Sequence, residues 1–152
     1  MSNEEIPKGN EVSQKAIKEA RARLWHMGQL TWKLDPTQLS LYEFYTTNKS
    51  KTIVVNASRR LGKSFFLVVL ALEQCIKNPK SIIVYIQPET AMLRKNLNHD
   101  IETMLEDCPL ELRPTFKSQD NVWVFPNGSK IMLAGTDGQN YDKLRGGKAH
   151  LC

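Results

Sequence analysis

Residues 52–78 constrain the fold more than any other part of the sequence. Thr52-Ile53-Val54-Val55-Asn56-Ala57 is a short β-branched run, and Ser58-Arg59-Arg60-Leu61-Gly62-Lys63-Ser64 follows it directly. An apolar stretch then runs from Phe65 to Asn78-Pro79. A β-branched run bounded by loops predicts a strand buried on both faces. The apolar stretch predicts a helix over residues 63–78, stopped by Pro79. A Gly-Lys-Ser step between such a strand and such a helix is the setting that a phosphate-binding loop requires.

The match to the pattern GxxxxGK[ST] is partial, because Ala57 stands where the first glycine belongs. The chemistry survives that change. Backbone N–H groups at a helix start point at an anion, and the helix dipole favours negative charge there. Gly62 lets the backbone approach without a side-chain clash. Lys63 is expected to neutralise the β and γ phosphates of ATP, and the Ser64 hydroxyl to bind Mg²⁺. Ser58, Arg59, Arg60 and Leu61 complete the expected cradle. The plain alternative makes Gly62 a turn glycine and Lys63 a solvated helix residue. Two arginines inside such a loop put guanidinium groups where charge develops in phosphoryl transfer, so one of them is a candidate for transition-state stabilisation. Electrostatic support of bound nucleotide, or an ion pair, is the simpler role.

The flanking segments read as alternating elements. Residues 1–10 read as a tail. Val12, Ala16, Ala20, Leu24 and Met27 recur about four apart, which predicts an amphipathic helix over 11–27. Its polar face carries Lys15, Lys18, Arg21 and Arg23, either a solvated face or a DNA-contacting one. Asp35-Pro36 predicts a helix start with Asp35 as N-cap. Ser81–Gln87 predicts a second buried strand, closed by Pro88. Residues 89–107 predict a helix with Leu93, Leu97, Ile101 and Leu105 on one side. Strand, helix, strand, helix in this order implies a parallel sheet. Asn127-Gly128 between Val122–Phe125 and Lys130–Leu133 predicts a β-hairpin. Residues 135–148 read as a functional loop.

Bulk properties narrow the function. The chain has 152 residues, enough for one domain, and a net charge of +5, which suits a polyanionic partner such as nucleic acid. No apolar run approaches the length of a membrane span, and the polar start Met-Ser-Asn-Glu-Glu is unlike a signal peptide. The three cysteines and three histidines show no metal-ligand spacing.

Ser58-Arg59-Arg60-Leu61-Gly62-Lys63-Ser64 resembles the deviant Walker A motif of the large terminase subunit, the DNA-packaging motor of tailed bacteriophages. Trp32-Lys33-Leu34-Asp35-Pro36-Thr37-Gln38 is similar to that family's adenine motif, Asn127-Gly128-Ser129-Lys130-Ile131 to its hairpin, and Tyr141-Asp142-Lys143-Leu144-Arg145-Gly146-Gly147 to the stretch before its Walker B strand. The resemblance implies an α/β P-loop NTPase of the RecA/ASCE type, with a parallel sheet flanked by helices and a β-hairpin. It implies a tail and helix over 1–34 and the N-terminal part of the ATPase domain over 35–152. Gln38 would hydrogen-bond adenine, although Asp35-x-x-Gln38 is also a capping box. Arg59 matches the family's cis-acting arginine. Arg145 falls where some members place an arginine finger; a phosphate or DNA contact is its alternative.

The resemblance further implies ATP and Mg²⁺ as cofactors, double-stranded DNA, portal protein and small terminase subunit as partners, a homo-oligomeric ring, an endonuclease function in the full-length protein, and a location in the host cytoplasm. Ala149-His150-Leu151-Cys152 looks like the opening of the Walker B strand, whose Asp and Glu are not in the sequence. The expectation is an N-terminal piece that hydrolyses ATP poorly and associates readily. A helicase-like ATPase of superfamily 2 and a non-hydrolysing nucleotide- or DNA-binding remnant are the alternatives.

Overall fold

The computed structural model describes residues 9–58 and 60–136, with the backbone alone for 9–12 and Thr90. Helix α1 spans Gly9–His26, α2 Pro36–Thr47, α3 Lys63–Lys77 and α4 Thr90–Met104. The strands are β1 Ile82–Gln87, β2 Thr115–Lys117, β3 Val122–Val124 and β4 Lys130–Gly135. Short 3₁₀ turns at Thr31–Lys33, Leu105–Asp107 and Leu110–Leu112 fill the connections.

Local chemistry accounts for the helix ends. α1 closes in a Schellman arrangement: Gln29 N–H donates to Leu24 O and Gly28 N–H to Trp25 O, with Gly28 at φ 62°. α2 opens with Pro36 in its first turn and a complete capping box. Asp35 Oδ1 accepts from Gln38 N–H at 2.8 Å, and Gln38 Oε1 accepts from Asp35 N–H at 3.0 Å. The cap expected at Asp35 therefore forms.

The core lies where α3 and α4 cover the sheet. α3 contributes Phe66, Val68, Val69, Leu70, Ala71, Leu72 and Cys75. α4 buries Leu93, Leu97, Ile101 and Met104, spaced three to four apart. Each such side chain contributes about 1.5–3 kcal/mol on burial. Trp25, Leu30 and Leu34 join the same cluster from the end of α1 and the following link.

The expected hairpin forms. β3 and β4 pair antiparallel, with Val124 opposite Lys130 and Trp123 opposite Ile131. Its loop closes through Phe125 N–H to Ser129 O at 2.9 Å and Gly128 N–H to Phe125 O at 3.0 Å. Asn127 Nδ2 donates to Cys75 O at 2.7 Å, and Ser129 Oγ to Asn78 O at 2.9 Å. The hairpin tip thereby satisfies carbonyls at the C-terminal end of α3 that the helix leaves open.

Three expectations are corrected. The run Thr52–Ala57 is not a strand; it is irregular, with Val54 87% and Val55 39% exposed. β-branched residues favour a strand only where neighbours pack on the pleat. The sheet order β1-β4-β3-β2 offers that run no neighbour among the described residues. The second correction follows from the first. The sheet is mixed and mostly antiparallel: β1 pairs parallel with β4, while β4–β3 and β3–β2 are antiparallel. Without a strand ahead of α3, the only parallel pairing described is the crossover from β1 through α4 to β4. Third, β1 is not buried on both faces; Ile83 alone is buried and Ile86 is 40% exposed. It stands at the end of the sheet order.

Candidate nucleotide-binding site

Gly62 is the N-cap of α3, at φ 71°, in the left-handed region that a residue with a Cβ rarely adopts. Its carbonyl accepts the first helical bond, from Phe66 N–H at 3.0 Å. No side chain caps this helix. The amides of its first turn are therefore a positive helix end available to an anion.

Lys63, the first residue of α3, turns back across the loop. Its ammonium donates to Ala57 O at 2.9 Å and to Ser58 O at 2.6 Å. The loop from 57 to 63 is thus closed by its own lysine, with the cation held at the helix mouth. Ser64 is exposed, Leu61 half-buried and Ser58 exposed. Arg60 is exposed and sits at φ 74°, a conformation costing a non-glycine residue about 1–2 kcal/mol. Arg59 and Arg145 lie outside the described residues, as do the stretches 141–147 and 149–152.

Gln38 is brought to the loop from α2. It is only 4% exposed, and its Nε2 donates to Gly62 O at 3.1 Å while its Oε1 serves the capping box. A Cβ on Gly62 would collide with Gln38 Nε2. The structure therefore brings Gln38, Gly62, Lys63 and Ser64 together. The sequence pattern pointed to Gln38 and to its cap, but not to the bond with Gly62.

Tyr85 was not singled out by sequence reasoning. It sits half-buried on β1, with the side chains of Ser64 and Gln87 near its hydroxyl. Burial pushes that hydroxyl above its ordinary value; the side chains of Ser64 and Gln87 pull it back, and Asp100 adds a small push upward. The available signal was a single phenol near the C-terminal end of an aliphatic strand, where open α/β sheets bind ligands.

The segment leading to Gln38 is fixed by charge and rings. Lys33 Nζ pairs with Asp107 Oδ1 at 2.7 Å and lies 4.4 Å from the Trp32 ring centroid. Arg21 covers the same ring at 4.9 Å. Trp25 Nε1 donates to Asp107 at 3.2 Å. Behind α2, the buried Glu73 carboxylate accepts from Leu30 N–H at 2.6 Å, Tyr42 hydroxyl at 2.6 Å and Lys77 Nζ at 3.1 Å.

The residues present fit a triphosphate with its metal: an uncapped helix start, a glycine carrying no Cβ, a lysine ammonium and an exposed hydroxyl meet at one loop. Among the described residues no cluster of three His, Cys, Asp or Glu could hold a metal by itself. No described helix is long and apolar enough to cross a membrane.

No curated protein matches the sequence. The family described as "Terminase large subunit, T4likevirus-type, N-terminal" matches residues 54–152, well over half of the chain, beginning just before the loop. The chain therefore belongs to the terminase large subunit family, the T4-like type, in its N-terminal region.

Proposed function

We propose that the loop 57–64 binds the triphosphate of ATP, and that this binding serves a motor that moves double-stranded DNA into a procapsid. Family membership makes the protein a DNA-packaging component. The observation that carries the nucleotide reading is the mouth of α3, where Lys63 and the uncapped amides converge beside Gly62. Lys63 would leave the Ala57 and Ser58 carbonyls for β and γ phosphate oxygens. Mg²⁺, held through the Ser64 hydroxyl, would supply charge neutralisation on the phosphates. Arg60 stands at the loop as a further cation, and Arg59 and Arg145 are proposed for transition-state charge.

Gln38 keeps one N–H and one acceptor lone pair beyond those already engaged. Contact with adenine through them is the proposed base-reading role. In the full-length protein, a ring of subunits, contacts with portal protein and small terminase subunit, and endonuclease activity belong to the same proposal, as does the host cytoplasm. DNA contact through Lys and Arg would be salt-dependent.

A second reading has a specific observation behind it. The run 52–57 lies outside the described sheet, with Thr52, Val54, Val55 and Asn56 exposed, which favours a chain that holds nucleotide without turnover. Titration with ATP and Mg²⁺ by calorimetry tests the first claim. Lys63→Ala is expected to lower affinity at least tenfold; equal affinity removes Lys63 from the site. A turnover near one per second would exclude the second reading.

A further inference from the structure

We infer that Gln38 is a positioning residue for the phosphate loop, acting on the triphosphate site whatever base the nucleotide carries. This rests on the nucleotide reading above and deepens it.

The argument starts from one carbonyl. Gly62 O accepts two hydrogen bonds, from Phe66 N–H at 3.0 Å within α3 and from Gln38 Nε2 at 3.1 Å across from α2. It belongs to the residue at φ 71° whose conformation sets the direction of the next amides. Glycine enters that region without strain but is equally free to leave it, so its neighbours must fix it there. Gln38 supplies that constraint from outside the loop. Its amide fills the space a Cβ on Gly62 would need.

Gln38 is in turn held twice by Asp35, once through its side chain and once through its backbone. Its Oε1 is fixed by Asp35 N–H, and its backbone N–H by Asp35 Oδ1. The side chain is 4% exposed, so water offers the amide little competition. α2, which carries it, is joined to α3 by the Tyr42–Glu73 bond. The loop is thus braced by a capped helix rather than by its own residues alone. The brace uses the Nε2–H and Oε1 contacts made within the protein and is separate from the remaining N–H and lone pair proposed for adenine.

The brace predicts a base-independent effect. The full chain and its Gln38→Ala, Asp35→Ala and Lys63→Ala variants are titrated with ATP, GTP and inorganic tripolyphosphate in Mg²⁺. Amide hydrogen exchange of the ligand-free proteins is followed in parallel. Gln38→Ala is expected to weaken ATP and tripolyphosphate by the same factor, about tenfold, the loss of one well-formed hydrogen bond. It is also expected to speed exchange at Phe66. Asp35→Ala, which leaves the bond to Gly62 in place, is expected to change both much less.

Loss of ATP affinity with tripolyphosphate untouched would make Gln38 a base reader and overturn the inference. Equal effects of Gln38→Ala and Asp35→Ala would reduce it to helix capping. Unchanged exchange at Phe66 in Gln38→Ala overturns it whether or not any ligand binds. Failure of the nucleotide reading shows separately, as tripolyphosphate affinity that is absent or indifferent to Lys63→Ala.

Discussion

The Tyr42 hydroxyl donates to the Glu73 carboxylate at 2.6 Å, joining α2 to α3 through a buried acid. The same carboxylate holds the Leu30 amide at 2.6 Å and Lys77 at 3.1 Å. Removing it strands a buried N–H and a phenol together. Glu73→Ala is expected to cost about 3 kcal/mol in chemical denaturation, and Tyr42→Phe about 1 kcal/mol. Equal costs would mean that the Leu30 amide finds another partner.

Gly62→Ala should be costly for two separable reasons. The left-handed φ of 71° opposes any Cβ, and Gln38 Nε2 occupies the space the methyl needs. A loss of about 2 kcal/mol is expected from thermal unfolding. Gln38→Ala in the same chain should relieve the collision but not the backbone strain. The double variant is therefore expected to be more stable than the sum of the two single losses. Strict additivity would place Gln38 away from Gly62 in solution.

Tyr85 makes a prediction about metal rather than stability. Its hydroxyl lies near the Ser64 side chain. Tyr85→Phe removes that polar neighbour of Ser64 and is expected to lower Mg²⁺-dependent ATP affinity, by about fivefold if the two hydroxyls are bonded when the metal is held. Binding in EDTA should not change. A loss of the same size in EDTA would assign Tyr85 to packing.

Alkaline pH should weaken the fold. Burial pushes the Cys75 thiol from 9.0 up to about 12 and the Cys108 thiol from 9.0 up to about 11. Burial and the Glu73 carboxylate push the Tyr42 hydroxyl up as well. All three are acids whose folded pKa is raised. Their contribution is intact below pH 9, and it is lost as pH climbs through the folded values. The unfolding free energy is expected to fall from pH 9 to 11, with Cys75→Ala flattening the slope. A slope unchanged by that variant would show the Cys75 thiol ionising alike in both states.

How much of this was legible in the sequence depends on what each signal reports. Asp35-Pro36 and Asn127-Gly128 act within a few residues, and each start or turn formed as its local chemistry required. The spacing of Leu93, Leu97 and Ile101 reported a buried face, because a helix buries what its own period lines up. Thr52–Ala57 misled, since β-branching marks fitness for a sheet and not the presence of a neighbour. β2 escaped notice because Thr115-Phe116-Lys117 offers one apolar residue, and its Phe116 finds its reason only in the Trp123 ring 5.1 Å away. The bond from Gln38 to Gly62 and the approach of Tyr85 to Ser64 cross 24 and 21 residues of chain. No local pattern encodes contacts of that kind.

α3 has 15 residues and so measures about 22 Å from end to end. One end carries the lysine and the open amides; the other is stitched to the tip of the β3–β4 turn by Asn127 and Ser129. A rod tied down at both ends cannot tilt at one without swinging the other. A tilt of about five degrees at the loop would carry the turn by about 2 Å over that length. If α3 moves as a rigid rod when its mouth is filled, the hairpin tip moves with it.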